Sequence, residues 1–199
     1  MLRKTSRFAL VILACGLAVG CGKYKRLADT AIKTADKAVD SAGDDVVKYA
    51  NDQWQPIIHA VSSAKESYAK GDYKGAIASL QDIGPKIQAA QAAASAKKTE
   101  LQNAWSTLSA GVPPMIDAIK SKVDSLSAMK KLPKGVDKAQ VDSAKSGLAA
   151  ATSDWSSAEE LFKAGKLTDA IAKANGVKEQ ASQIMQTLGL TAPAAPAAK

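Results

Sequence analysis

The stretch VDSAKSGLAAATSDWSSAEELF, residues 141–162, decides the fold class. Its apolar residues recur at alternating steps of three and four, which places them on one stripe of an α-helix. A β-strand would instead alternate at every second residue. The stripe consists of Val141, Ala144, Leu148, Ala151, Trp155, Ala158 and Phe162. This stretch therefore predicts one long amphipathic helix.

The same alternation recurs elsewhere in the chain, and no convincing two-residue period accompanies it. One run extends from Val47 to Tyr68, another from Leu167 to Leu188, and Leu101, Trp105 and Leu108 continue the pattern between them. Glycine and proline set the boundaries. The predicted helices cover roughly 25–42, 45–70, 73–110, 114–131, 137–164 and 167–188.

Two proline sites bear on the connections between these helices. Gly84-Pro85 predicts a kink or a split in the helix that starts near residue 73, and Gly111 with Pro113-Pro114 predicts a complete break. Since short connections favour antiparallel neighbours, the sequence predicts an all-α, up-and-down antiparallel helical bundle.

An internal repeat adds detail to this bundle. Residues 62–78 read SSAKESYAKGDYKGAIA, and residues 156–172 read SSAEELFKAGKLTDAIA, 94 residues further on. The repeat predicts a duplicated hairpin of helix, glycine turn and helix, with the chain from 85 to 135 connecting the two copies.

The first copy resembles a tetratricopeptide hairpin, in its residues Ala64, Tyr68, Gly71-Asp72-Tyr73 and Ala76-Ile77. The resemblance implies that small residues let the two helices approach and that the aromatic side chain fills the gap between them. Tetratricopeptide arrays repeat every 34 residues, so a stacked peptide-binding groove of that family remains an alternative reading only.

The first residues, MLRKTSRFALVILACGLAVGC, have the anatomy of a secretory signal peptide. Arg3, Lys4 and Arg7 form a positive start, and the apolar run from Phe8 to Val19 ends in small residues. That run is shorter than the about 20 residues that cross a bilayer, although a retained transmembrane anchor is an alternative.

The end of this segment, Ala18-Val19-Gly20-Cys21, resembles the lipobox of bacterial lipoproteins. The resemblance implies cleavage before Cys21 and a diacylglycerol on its thiol, and Gly22 then implies delivery to the periplasmic face of the outer membrane. The layout that follows is a signal peptide at 1–20, a lipid attachment site and tether at 21–26, a helical bundle at 27–190 and a flexible Ala/Pro tail at 191–199. A rival lipobox ending at Cys15 and an ordinary secreted protein are the alternatives.

The charge suggests where the protein lies. Lysine and arginine outnumber aspartate and glutamate by 27 to 19, a moderate excess for a surface near anionic lipid or cell-wall polymer. Lys23, Lys25 and Arg26 follow Cys21 directly and are predicted to contact headgroups. The membrane is therefore the first predicted partner, with envelope proteins or cell-wall polymer as further ones. No motif of interleaved basic and aromatic residues points to nucleic acid.

The residues that could carry catalysis or bind a metal predict neither an enzyme nor a cofactor or metal site. His59 is the single histidine, and a metal site needs several converging ligands. Glu66 and Glu160 occupy equivalent repeat positions, where an acid–base pair would require them to be buried and close together. Five aromatic residues either line a ligand cavity or fill the core: Trp54, Tyr68, Trp105, Trp155 and Phe162. The prediction is a non-enzymatic interaction or scaffold lipoprotein; the alternative is a periplasmic module that binds a peptide, a lipid or a cell-wall fragment.

Overall fold

The computed structural model describes the backbone of residues 5–191 and the side chains of residues 22–191. Within this part the chain is helical and contains no strand, which confirms the all-α prediction. The helices are α1 Thr5–Asp40, α2 Asp44–Tyr49, α3 Asn51–Ala69, α4 Tyr73–Leu80, α5 Ile83–Ala128, α6 Lys138–Lys163 and α7 Leu167–Thr187. The first four residues of the predicted signal peptide, the side chain of Cys21 and tail residues 192–199 lie outside the described residues.

The helices form two compact units, Met1–Lys97 and Lys98–Lys199, and α5 contributes to both. Each unit contains one copy of the sequence repeat. Helices α3 and α4 form the first hairpin, and helices α6 and α7 form the second hairpin.

In the first unit, α1 packs against both helices of the first hairpin. The ammonium of Lys65 in α3 lies 2.7 Å from the carboxylate of Asp36 in α1. Tyr68, one turn further along α3, interacts electrostatically with Lys33, one turn earlier in α1. Helices α1 and α3 therefore run antiparallel. Lys74 in α4 contacts Tyr24, which is among the first residues of α1 whose side chains the structure describes. Since Gln91 in α5 donates to the carbonyl of Ala42 just after α1, the α4–α5 segment runs parallel to α1.

Small residues bring α1 close to its neighbours. Ala28 and Ala35 are seven residues apart and are 0% and 2% exposed, while Ala76 in α4 is 0% exposed. Helix spacing depends on the side chains at the contact, and alanine permits a short distance. The alanines therefore let α1 lie close to the hairpin, whose own large side chains, such as Trp54 and Ile57, are buried in the same core.

The second unit combines a tight hairpin with a bulkier third helix. At Gly147 in α6, an added Cβ would lie 2.9 Å from Cδ1 of Ile184 in α7, so a larger residue there would displace the end of the Ile184 side chain. Helix α5 instead contacts the hairpin with large buried side chains: Leu108, Val112, Met115, Ile116, Ile119, Val123 and Leu126.

The predicted break at Gly111 and Pro113-Pro114 is wrong, since α5 continues through all three residues. Val112 is 0% exposed and Met115 is 6% exposed, so the apolar stripe passes the prolines without interruption. Proline removes a backbone donor from a helix, but Pro114 lies on the exposed side. Burial of the apolar stripe outweighs the local cost of the two prolines.

Other boundaries differ from the sequence prediction by less. The predicted helix 45–70 is interrupted at Ala50, which has φ −136° and separates α2 from α3. A kink or split was predicted at Gly84-Pro85, and the chain does split there, two residues earlier, between the end of α4 at Leu80 and the start of α5 at Ile83. Pro85 therefore lies in the first turn of α5, where a missing N–H is tolerated. Residues 22–26, predicted as a tether before the first helix, are part of α1.

Candidate functional site

The chain next to Cys21 is helical and basic. The side chain of Cys21 lies outside the described residues, but α1 continues without a break from Gly22 to Asp40. Lys23, Lys25 and Arg26, the residues predicted to contact headgroups, have exposed side chains. Ala28, buried completely, follows Cys21 by seven residues, or about 10 Å of helix. The segment that would carry a lipid is therefore joined rigidly to the first core.

A residue of the first hairpin joins this basic segment. The Lys74 ammonium in α4 lies 4.9 Å from the centre of the Tyr24 ring, a cation–π contact. Tyr24 remains 39% exposed and Leu27 is 49% exposed, which are high values for large apolar side chains. We refer to Lys23, Tyr24, Arg26, Leu27 and Lys74 together as the α1–α4 face.

Two acidic residues further along α1, Asp29 and Asp36, have basic partners. Lys33 lies 2.8 Å from Asp29, and this hydrogen bond raises the pKa of the Lys33 ammonium. Lys65 pairs with Asp36 at 2.7 Å. These pairs are exposed and add little stability, but they compensate the negative charge next to the α1–α4 face. The face itself is left with a net positive charge.

Of the five predicted aromatic residues, Trp54 and Trp155 are buried in the cores of the two units, and Tyr68, Trp105 and Phe162 are half-buried. Trp54 is 5% exposed within the first core, and Tyr68 packs edge-on against Tyr73 at 5.2 Å. In the second unit, the Trp105 ring stacks on Trp155 at 5.5 Å and on Phe162 at 4.5 Å.

The indole N–H of the buried Trp155 has a hydrogen-bond partner. Its indole N–H donates to the Glu159 carboxylate at 3.0 Å, one turn along α6. Trp105 thus lies against two rings of α6 that are seven residues apart, and the three aromatic side chains fill the space between α5 and the second hairpin. They do not line the groove described next.

A surface groove of about 810 Å³ lies between α5 and α6 in the second unit. Apolar side chains alternate with charged ones along it: Ile116, Asp117, Lys120, Val123, Asp124, Ser127, Ala128, Lys145, Leu148, Ala149 and Thr152. The Lys120 ammonium donates to Asp124 at 2.7 Å, which raises the pKa of Lys120. Sequence reasoning missed this groove because both of its walls were predicted as helices, but how α5 and α6 pack against each other is not specified by the helical pattern.

The residues considered for catalysis are at the surface. His59 is exposed, and its Nδ1 lies 3.4 Å from the Ser63 hydroxyl. Glu66 and Glu160 are both exposed, one in each unit, so neither meets the burial condition for an acid–base pair. Among the described residues, no group of three or more His, Cys, Asp or Glu side chains is placed to hold a metal ion.

The basic loop before α6 is exposed as well. Lys130, Lys131, Lys134 and Lys138 have exposed side chains, while Leu132 and Val136 of the same loop pack against the core of the second unit. The apolar residues hold the loop in place and leave its lysines in solvent.

Comparison with known proteins provides no family assignment. No family model, no curated protein and no solved structure shows significant similarity to this chain. None of the helices in the described part has the length and apolar character needed to cross a bilayer.

Proposed function

We propose that this protein is a lipid-anchored lipoprotein of the bacterial cell envelope, on the periplasmic face of the outer membrane, which acts as a non-enzymatic interaction or scaffold protein. Cys21 is the acylated residue in this proposal, and residues 1–20 are removed. The observation that carries it is the start of α1, where exposed basic residues adjoin Cys21 and continue as one helix into the first core.

The geometry supports an anchor that holds the protein close to the membrane. Because Gly22 to Arg26 are helical, they span about 8 Å rather than the greater length that an extended tether would reach. Lys23, Lys25 and Arg26 are then at headgroup depth, where each basic residue adds about 1 kcal/mol of attraction to anionic lipid.

The exposed positions of His59, Glu66 and Glu160 favour an interaction role over catalysis. Catalytic groups are usually set in clefts where burial and neighbouring charges shift their pKa. The duplicated hairpins instead offer exposed helical surfaces in both units, which suit protein contacts.

A second candidate function is a periplasmic binding module, and the groove between α5 and α6 favours it. Its volume of about 810 Å³ is within the range of small-molecule sites, and its apolar lining with charged residues at intervals suits a peptide, a lipid or a cell-wall fragment. The anchor and the groove are compatible with each other in one protein.

The proposal is tested by intact mass and detergent partitioning of the protein expressed from its full sequence, with Cys21→Ser and Cys15→Ser beside the wild type. We expect acyl mass and detergent partitioning for the wild type and for Cys15→Ser, since Cys15 would leave with the signal peptide. Cys21→Ser should lose both properties.

The two cysteine variants separate the alternatives. Loss of acyl mass in Cys15→Ser but not in Cys21→Ser would assign the anchor to the rival lipobox. A wild-type protein that is unacylated and remains in the aqueous phase would refute the lipoprotein proposal, and a screen of soluble ligands against the groove would come first.

A further inference from the structure

We infer that the α1–α4 face is a membrane-docking surface for anionic phospholipid, so that the first hairpin contacts the bilayer together with the start of α1. The inference rests on the proposed lipid anchor and extends it, because it assigns Lys74 of the hairpin, as well as the residues next to Cys21, to the membrane contact.

Distance along the helix places this face at the membrane surface. Leu27 follows Cys21 by six residues, or about 9 Å of helix. The polar headgroup region of one leaflet is roughly 5–8 Å thick. With acyl chains on Cys21 in the hydrocarbon, the residues from Lys23 to Leu27 lie in or directly above the headgroups, whether α1 stands upright or tilts.

Lys74 is held at the same depth by its contact with Tyr24. The 4.9 Å cation–π contact places the Lys74 ammonium of α4 beside the first turn after Cys21, although Lys74 and Tyr24 are 50 positions apart in the sequence. Asp72, the nearest acidic residue along the chain, accepts a hydrogen bond from the backbone N–H of Gly75. Its carboxylate is therefore directed at the start of α4.

The chemistry of the face matches an anionic interface. Lys23, Arg26 and Lys74 supply positive charge, and Tyr24 is the residue type that is enriched at the boundary between headgroups and hydrocarbon. Leu27 shares a side of α1 with Lys23, four residues earlier, and its 49% exposure provides apolar surface for shallow insertion. A protein partner would not explain why the basic and apolar residues cluster next to the acylation site.

Lysine acetylation of the native protein tests the inference without any substitution. The acylated protein is reconstituted into vesicles of phosphatidylcholine alone or of phosphatidylcholine with phosphatidylglycerol, treated with an amine-reactive acetylating reagent, and digested for peptide mass spectrometry. We expect Lys74 to be acetylated about fivefold more slowly on the anionic vesicles, given the attraction of each basic residue to anionic lipid.

Lys134 in the basic loop of the second unit is the matched control, since it is exposed but not part of the α1–α4 face. Its acetylation rate should not differ between the vesicles. In about 1 M salt, where the screening length is about 3 Å, the protection of Lys74 should disappear.

The outcomes separate failure of this inference from failure of the anchor. Protein that carries acyl chains and floats with the vesicles, but shows equal Lys74 rates on both lipids, overturns the docking surface and leaves the anchor intact. Equal slowing of Lys74 and Lys134 also overturns it, because the effect would then be unspecific. Protein that neither carries acyl mass nor floats refutes the proposed anchor itself.

Discussion

The turns of the two hairpins have the same backbone hydrogen bonds but differ in the side chains around them. In the first, the N–H of Gly71 donates to the carbonyl of Tyr68 and that of Asp72 to Ser67. In the second, Gly165 donates to Phe162 and Lys166 donates to Leu161, at the equivalent positions. Both turns are Schellman motifs with the glycine at positive φ, 80° and 72°.

Buried alanines are a second common feature. Ala64 and Ala76 of the first hairpin, and Ala158 and Ala170 of the second, are all 0% exposed. They let the two helices of each hairpin approach closely, because the distance between helices depends on the size of the side chains at the contact.

The difference lies in what fills the space beside each hairpin. Tyr68 packs against Tyr73 within the first hairpin, whereas its counterpart Phe162 stacks on Trp105 of the neighbouring helix α5. Helix α1 packs against the first hairpin with buried alanines, whereas α5 packs against the second hairpin with large buried side chains. The repeat therefore encodes the turn of each hairpin and the close contact between its two helices. The third helix of each unit, α1 or α5, determines the rest of the core.

The largest loss of stability is expected from a substitution that removes the aromatic packing of the second unit. Trp155 aligns with Val61 in the repeat, and both are buried. We expect Trp155→Ala to lower the free energy of unfolding by about 3–5 kcal/mol, because it removes the stack on Trp105 and leaves a cavity. Val61→Ala should cost about 2 kcal/mol, since it removes two methyl groups. Urea unfolding followed by far-UV circular dichroism measures both.

The exposed neighbour Ser156 provides the control for these two substitutions. Ser156→Ala should change the free energy of unfolding by less than about 0.5 kcal/mol. Equal losses for Trp155→Ala and Val61→Ala would show that the two cores do not differ as described.

A smaller effect tests whether the two turns are equivalent. Gly71→Ala and Gly165→Ala should each destabilise by about 1–2 kcal/mol, because a Cβ is unfavourable at positive φ even though the surrounding space is open. Thermal unfolding of the two variants should give similar losses.

Gly176 is the matched control for the turn glycines. It lies inside α7 with open space around it and without a positive φ. Gly176→Ala should therefore stabilise the protein by about 1 kcal/mol. A clear difference between the losses of Gly71→Ala and Gly165→Ala would contradict the equivalence of the turns.

The smallest effect concerns the start of the second helix in each hairpin. Asp72 caps α4 by accepting from the Gly75 N–H at 2.9 Å, whereas Lys166 at the equivalent position of α7 makes no side-chain cap. Asp72→Ala should cost about 1 kcal/mol. A Cβ at residue 75 would collide with the Asp72 carboxylate, so Gly75→Ala should lose the cap while gaining helix propensity, with a net change close to zero.

A double-mutant cycle makes this prediction specific. In the Asp72→Ala background the collision is absent, and Gly75→Ala should stabilise by about 1 kcal/mol. If Gly75→Ala has the same effect with and without Asp72, the cap and the glycine are not coupled.

Much of the fold could be predicted from single residues. The three-and-four spacing located α6 and α7 to within a few residues, and Gly71 and Gly165 marked both turns, because these signals act within one or two helical turns of the chain. The continuation of α5 through Pro113 and Pro114 could not be predicted. Local propensity argues for a break there, and burial of Val112 and Met115 by other helices overrides it.

The candidate site divides in the same way. Cys21, the small residues before it that resemble a lipobox and the basic residues after it are adjacent in the chain, so the proposed anchor segment can be read from the sequence alone. Lys74 could not be linked to Tyr24 from the sequence, since 50 residues separate them. The groove between α5 and α6 likewise depends on how two helices pack.

Periodicity, glycine and capping act locally, so the residues alone predict that the chain is helical, where its two hairpins turn and which residues form each apolar stripe. The packing of the helices was needed to show which helix covers each hairpin, that Trp105 stacks on Trp155 and Phe162, and that Lys74 contacts the start of α1. Contacts between helices depend on side-chain volume and on the distance between helix axes, which a linear pattern does not specify.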